Sequence, residues 1–320
     1  MKKVRVAVLG YGHLGKWHCQ KVAAHSENVE FVAIVEKFPA GQEAAKTNHP
    51  NVKVVNDISD IINEIDAAFV VTPTSTHFEL VKYLLENNKH VFCEKPLCSS
   101  DKEAQALKAI ADTKNVVIQV GQSERFHEAW EILREEIHSL PTPFSVRLTR
   151  VAPFKGRATD VDVIQDLGIH DLDIILHVFK QKPLKVTTTG YQIRTKNLDH
   201  AIMTVELEDG CTAVVTDGRN ATKEIRELEI VSKAGTITVD LFTNKIFKAT
   251  SGQYDDGSFV KEMDYSKRDH LLLEHKYFYQ SILENKPAIV DLKAGLNAVH
   301  VVDCALRSFN EGRTVEVSLA

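Results

Sequence analysis

Nowhere in these 320 residues does an apolar run approach the ~18 that a membrane-spanning helix needs. Cysteine is scarce: Cys19, Cys93, Cys98, Cys211 and Cys304 form no C-x-x-C pair, and an odd number cannot all be bridged. A disulfide framework is therefore not expected, and reduced, buried thiols in a cytoplasmic protein are. There is no block of like charge, no low-complexity linker and no internal repeat. Lys and Arg are scattered and outnumbered, for a formal net charge of -5, which leaves no basic field for nucleic acid. The start, Met1-Lys2-Lys3-Val4, passes into a strand pattern that Arg5 interrupts, unlike the unbroken apolar core of a secretory leader. What remains is globular, 43% hydrophobic and 26% charged, and long enough for two domains.

The first third alternates strand and helix signals. Val4, Val6 and Val8 open a strand that stops at Gly10, and residues 14–25 read as a helix. Strands then follow at 31–35, 52–55, 67–71, 89–93 and 116–120, with helices at 57–65, 78–86 and 101–112. That rhythm predicts a doubly wound parallel sheet. After about residue 121 the pattern changes. Helices at 128–137 and 166–179 frame a strand at 145–151, and successive strands cover 185–194, 201–207, 212–217, 226–232 and 236–241. Asp209-Gly210 and Ala234-Gly235 are hairpin signals. Helices return at 269–284 and 292–310. The fold class expected is α/β: an N-terminal Rossmann-type parallel sheet, then an α/β domain with a large, mostly antiparallel open sheet. A row of Thr204, Glu206, Ala213 and Val215 is expected on its open face, neither core-like nor fully polar, which predicts a homodimer or homotetramer.

Gly10-Tyr11-Gly12-His13-Leu14-Gly15 joins the first strand to the first helix. The first glycine permits the tight turn, the second lets backbone approach a pyrophosphate, and the third lets helix and strand pack closely. Alone the pattern is weak, because glycines cluster in ordinary turns. Glu36, about 20 residues on at the end of the second strand, supplies the carboxylate that would hold ribose hydroxyls. The same carboxylate would repel a 2′-phosphate, so NAD is expected over NADP, with Lys37 moderating the preference.

Glu94-Lys95-Pro96 ends a buried strand, where ligands of doubly wound sheets bind, so Lys95 is expected near the nicotinamide. A solvated loop lysine is the plainer alternative. The Lys95–Pro96 peptide is a candidate for the cis form, which costs X-Pro bonds only about 0.5–1 kcal/mol. Thr72, Pro73, Thr74 and His77 end a neighbouring strand, where a turn and helix cap would use the same residues. With Glu94 and Gln122 they complete the cofactor-binding set. Further on, Asp166 and His170 are spaced i and i+4, which on a helix places both on one face. A neutral imidazole there can take a hydroxyl proton, or simply pack at a helix start. With no second histidine at ligand spacing, no metal is expected.

These motifs, in this order, resemble the Gfo/Idh/MocA family of sugar and cyclitol dehydrogenases along essentially the whole chain. The resemblance implies NAD(P)-dependent interconversion of a secondary alcohol and a ketone. It implies that Lys95 and His170 act at the reacting hydroxyl while Asp166 holds substrate. It divides the chain into an NAD-binding domain, 1–121, and a substrate-binding and oligomerisation domain, 122–320. Glu124-Arg125-Phe126 and Asp166–Asp173 look most like members oxidising the 3-hydroxyl of UDP-N-acetylglucosamine, although His127-Glu128 stands where that subgroup commonly has Asn-Pro. Glu124 and Arg157 are the further substrate-binding candidates, and Arg150, Lys155 and Arg157 could meet a diphosphate or form a solvated basic loop. An inositol or free-sugar dehydrogenase and a non-catalytic NAD- or sugar-sensing regulator stay open beside this reading.

Overall fold

A computed structural model describes residues 3–319 except 157, 158, 160 and 251. The chain begins β1 (Val4–Leu9), α1 (His13–Ala24), β2 (Val29–Val35), α2 (Pro39–Asn48), β3 (Lys53–Val55), β4 (Ala67–Val70), α3 (His77–Glu86), β5 (His90–Glu94), α4 (Asp101–Ala111) and β6 (Ile118–Gly121). The six strands pair in parallel in the order β3-β2-β1-β4-β5-β6. From β1 the chain builds outward in one direction through β3, then returns to build in the other through β6. The crevice between β1 and β4 is therefore the switch point where such sheets bind ligands. Every residue of β4 is buried, as are Val6, Ala7 and Val8, because helices cover both faces.

Two local expectations differ. Residues 39–48 form a helix where only a polar stretch was read. Pro39 starts it at the first helical turn, but Ala45 is its one buried residue, so its apolar periodicity is too weak to see. Residues 57–65 form no α-helix. A 3₁₀ turn, Ile58–Asp60, is capped by Asp57, whose carboxylate accepts from the Ser59 N–H at 2.9 Å.

The chain continues α5 (Glu128–His138), β7 (Ser145–Val151), α6 (Ile169–Val178), β8 (Pro183–Tyr191), β9 (His200–Leu207), β10 (Thr212–Gly218), β11 (Ile225–Ser232), β12 (Gly235–Asp240), β13 (Lys245–Ala249), β14 (Val260–Asp264), α7 (His270–Glu284), α8 (Leu292–Glu311) and β15 (Val315–Glu316). The second sheet has nine strands, ordered β14-β13-β12-β11-β7-β10-β9-β8-β15. Only β7 and β10 pair in parallel. Asp209 and Gly210 both take positive φ, 58° and 72°, as the two-residue turn signal requires. Strands β13 and β14 were not anticipated, being short and charged, with β13 paired to β12 and β14 in turn to β13.

The predicted open-face row is corrected. Ala213 pairs with Val205 and Val215 with Met203, and all four are buried. Side chains alternate along a strand, so these point opposite to Thr204 and Glu206. The exposed face instead carries Ile202, Thr204 and Glu206 across from Thr216, Val214 and Thr212.

The chain divides into two compact units that do not follow a single cut. Residues up to Ser123 group with Asp269–Val299, and Glu124–Arg268 groups with the chain from His300 on. The reason lies in α7, whose Phe278 and Tyr279 are part of the same apolar core as Val6, Val8, Phe69 and Phe92. At Gly295 a Cβ would stand 2.6 Å from Val120, so α8 starts against β6.

Candidate active site

In the first unit the three motif glycines have three different surroundings. Gly10 takes φ 95°, and a Cβ there would lie 2.5 Å from the Val71 carbonyl oxygen. A Cβ on Gly15 would come 2.1 Å from the Gly10 carbonyl oxygen. Around Gly12 nothing lies within 4 Å, so this glycine is dispensable to the protein's own packing and leaves room for a close ligand. Gly12 also caps α1 without a side-chain bond, leaving N–H groups at the helix start for an anion. His13 and Leu14 are exposed beside it.

Glu36 is buried and held by backbone. Its Oε2 accepts from the Tyr11 N–H at 2.7 Å and its Oε1 from the Phe38 N–H at 2.8 Å. Each oxygen keeps a further acceptor position, as a pair of ribose hydroxyls would need. Gly41 of α2 lets that helix approach, since a Cβ there would stand 2.7 Å from Glu36 Cγ. Sequence reading missed this contribution because α2 itself was missed.

The strand-end loops are tied together by His77, which is buried. Its Nδ1 lies 2.8 Å from the Pro96 carbonyl oxygen and its Nε2 2.9 Å from that of Thr72. Both nitrogens of this expected cofactor residue thus face backbone, and its contribution is to fix the two loops. Thr72 and Thr76 hydroxyls meet at 2.7 Å, Pro73 is exposed and Thr74 half-buried. The Lys95–Pro96 peptide is cis. Lys95 donates its backbone N–H to Glu94 Oε2 at 3.2 Å. Gln122, just past β6, is 1% exposed, and neither its amide oxygen nor its nitrogen has a hydrogen-bond partner among the described residues. Burying such an amide unpaired is costly, so it fits a ligand that pairs with it. With the open Gly12 and the acceptor positions on Glu36, the residues present fit a dinucleotide.

In the second unit, Asp166 lies in a π-helical turn, Ile164–Gly168, that leads into α6 and His170. The i, i+4 pair therefore spans a change of helix type rather than one regular α-helix, an arrangement frequent at functional sites. The acids after His170 are neutralised from elsewhere. Arg150 of β7 is buried and donates to Asp171 Oδ1 from Nε at 3.0 Å and from Nη2 at 2.8 Å, with Nη1 3.3 Å from Glu124. Burial works against the Arg150 charge, but Asp171 and Glu124 more than offset it and hold its pKa above the ordinary value. Arg125 forms a two-pronged pair with Asp173, at 2.7 and 2.6 Å.

Glu124 faces Arg150 and, at 3.1 Å, His127. Burial pushes its pKa up, yet Arg150, His127 and His170 together hold it well below the usual range. The expected diphosphate role of Arg150 is corrected: its guanidinium is committed to carboxylates. Lys155 is exposed and pairs with Glu224 at 3.0 Å, and Arg157 lies outside the described residues. Asp217 of β10 packs beneath the π turn, where a Gly168 Cβ would come 2.9 Å from its Oδ2. Burial and the neighbouring Asp171 push Asp217 well above the carboxylate range. Strand phase could have revealed Asp217, which sequence reading missed, and the burial of Arg150: Arg150 shares the buried face with Val146 and Leu148, and Asp217 with Ala213 and Val215.

All five cysteines are buried thiols. Burial raises the thiol pKa of Cys93 well above its usual value and that of Cys98 to about 12, which keeps both inert as nucleophiles. No helix among the described residues is long and apolar enough to cross a membrane.

A glycine turn at a switch point, a fixed acid at the end of β2 and a buried amide beyond β6 define a dinucleotide-binding unit of the Rossmann type. Residues 4–122 match the NAD-binding Rossmann fold of the Gfo/Idh/MocA oxidoreductase family, and residues 156–317 match its C-terminal α/β domain. The chain belongs to that family. It is 31% identical to UDP-N-acetylglucosamine 3-dehydrogenase of Acidithiobacillus ferrooxidans over 92% of this chain and 94% of that one. A crystal structure of the same-named enzyme from that organism superposes with a TM-score of 0.87 at 27% identity, covering 97% of this chain and 99% of the other. Inositol 2-dehydrogenase of Rhizobium meliloti is 25% identical over 98% of this chain and 99% of its own length.

Proposed function

We propose that this oxidoreductase uses NAD to interconvert a secondary hydroxyl and a ketone on a sugar or sugar nucleotide, the 3-hydroxyl of UDP-N-acetylglucosamine being the first candidate. The observation that carries the reading is the relative of that name, alike over nearly the full length of both chains. The nicotinamide, when bound, supplies the hydride-accepting carbon. Residues 1–121, with Gln122 just beyond them, bind the dinucleotide through the Gly10–Gly15 turn, Glu36, the Thr72–His77 loop, Glu94 and Lys95. Residues 122–320 bind substrate, with Asp166 as the holding acid, and form the oligomer through the exposed face of the large sheet. Lys95 and His170 handle the hydroxyl proton.

NAD is favoured over NADP because Glu36 is held by backbone N–H groups that carry no net charge, so nothing in its hydrogen bonds neutralises it against a 2′-phosphate. Titrating NADH and NADPH side by side tests this, and equal or tighter NADPH binding would defeat it. Incubating the protein with NAD and, in turn, UDP-N-acetylglucosamine, other sugar nucleotides, inositols and free sugars tests the substrate, read as absorbance of reduced cofactor. Turnover of inositol alone would favour the cyclitol alternative. NADH binding with no turnover of any candidate would favour a regulator.

A further inference from the structure

Glu94 ends β5 one residue before Lys95 and is 7% exposed. Besides the Lys95 N–H on Oε2, its carboxylate meets His18 of α1, with Nε2 2.9 Å from Oε1. His18 Nδ1 lies 2.9 Å from His275 Nε2, and His275 Nδ1 lies 3.2 Å from the Tyr279 hydroxyl. His275 and Tyr279 are one turn apart on α7. All three are buried, among Phe69, which stacks on His275 at 4.3 Å, and Phe92, 5.4 Å from His18. Gly121 of β6 closes the other side, for a Cβ there would stand 2.9 Å from Glu94 Oε1.

The proton positions in this chain follow from its members. Burial keeps the Tyr279 hydroxyl protonated, and its hydrogen-bond partner among the described residues is His275 Nδ1. Burial, with His18, His25 and Lys21 adding to it, pulls His275 well below the ordinary imidazole range, so that ring carries a single proton. If Tyr279 donates to Nδ1, the His275 proton is on Nε2 and points at His18 Nδ1. His18 must then accept there and carry its own proton on Nε2, toward Glu94. The reverse order would leave the Tyr279 O–H buried without an acceptor, and a neutral His18 would then turn a bare Nε2 lone pair toward the Glu94 carboxylate.

We infer that Tyr279, His275 and His18 form a directional hydrogen-bond chain that positions the Glu94 carboxylate for the nicotinamide end of the dinucleotide. The inference rests on the cofactor reading above. His18 Nε2–H, the last of three donors in line, holds Oε1 without neutralising it, and the acceptor positions left on the two oxygens suit the donors of a nicotinamide carboxamide or its ribose. These are positioning residues, none of them placed to touch the reacting atoms.

The test combines proton positions with binding. Long-range ¹H–¹⁵N NMR of the histidine-labelled full chain at neutral pH, assigned with His18→Gln and His275→Gln, should show both rings as neutral Nε2–H tautomers. A doubly protonated His18, or Nδ1–H on either ring, overturns the chain. NADH and ADP-ribose, which lacks the nicotinamide, are then titrated against the same variants. His275→Leu should weaken NADH about tenfold and leave ADP-ribose within about twofold, while His275→Gln, which can donate and accept, should recover most of the loss. Tyr279→Phe, the gentlest change, should weaken NADH about threefold. Unchanged NADH binding in both His275→Leu and Tyr279→Phe, or equal loss of both ligands, overturns the positioning role alone. A wild-type chain that binds neither ligand overturns the cofactor reading and this inference together.

Discussion

At the end of β2 and along α6 the protein buries carboxylates in two different ways. Glu36 receives two backbone N–H groups, whereas Asp171 and Asp173 receive the guanidinium groups of Arg150 and Arg125. Backbone donors satisfy hydrogen bonds without cancelling charge, so Glu36 can still select among ligands by charge and lone pair. Guanidinium partners cancel the charge, forking onto both oxygens of Asp173 and converging on Oδ1 of Asp171, so the α6 acids serve to lock the helix that carries His170. Two clusters rich in acids therefore have different uses, and the donor type tells them apart.

The comparison is broken most forcefully at His170. If the α6 acids are scaffold and His170 takes the proton, His170→Ala should lower turnover by ~10²–10⁴-fold while NADH affinity stays within about twofold. Steady-state kinetics with a cofactor titration checks both. Near-wild-type turnover in a folded variant would remove the catalytic role and favour a regulator.

Next in size is the scaffold itself. Arg150→Met leaves Asp171 buried without its cation and takes one partner from Glu124, an expected loss of about 3–5 kcal/mol in urea unfolding. Arg147→Met removes the exposed pair with Glu229 on the same strand and should cost less than about 1 kcal/mol. Similar losses for the two would mean that Arg150 is no more than a surface-strength contact.

The glycine turn sharpens the other half. Gly15→Ala drives a Cβ into the Gly10 carbonyl and should lower both the melting temperature and NADH affinity. Gly12→Ala meets no protein atom and should leave melting unchanged while weakening NADH about tenfold. Equal behaviour of the two variants would show that Gly12 is a packing glycine.

The most gradual effect is a pH slope from α6. Burial, with Arg125, Arg134 and His138 adding to it, lowers His177 from 6.5 to about 4. Between those values the unfolded chain binds a proton that the folded chain does not. Stability therefore rises with pH through the window, is complete above about 6.5, and falls as pH drops toward 4. Urea unfolding across that range should show the slope, and His177→Gln should flatten it.

Much of this was legible along the chain. Strand and helix alternation, the Gly10–Gly15 turn, Glu36 and the Asp209-Gly210 hairpin all depend on backbone geometry within a few residues, and their residue types report that geometry directly. The cis Lys95–Pro96 peptide was foreseeable for the same reason. Local pattern failed where it was weak, as in α2 with its single buried residue and in the short, charged strands β13 and β14.

What only the tertiary structure decided was pairing across distance. Arg150 finds Asp171 because β7 lies beside β10 and beneath α6, and a sheet's register is set by partners far away in sequence. The register of β10 on β9 likewise turned Ala213 and Val215 inward. Burial of Phe278 and Tyr279 drew α7 into the first unit's core and so brought His275 to His18, 257 residues apart. By itself, the sequence determined which backbone shapes could form and which side chains had chemistry to offer. Burial and long-range packing determined which of those side chains were used up inside the protein and which were left to meet a ligand.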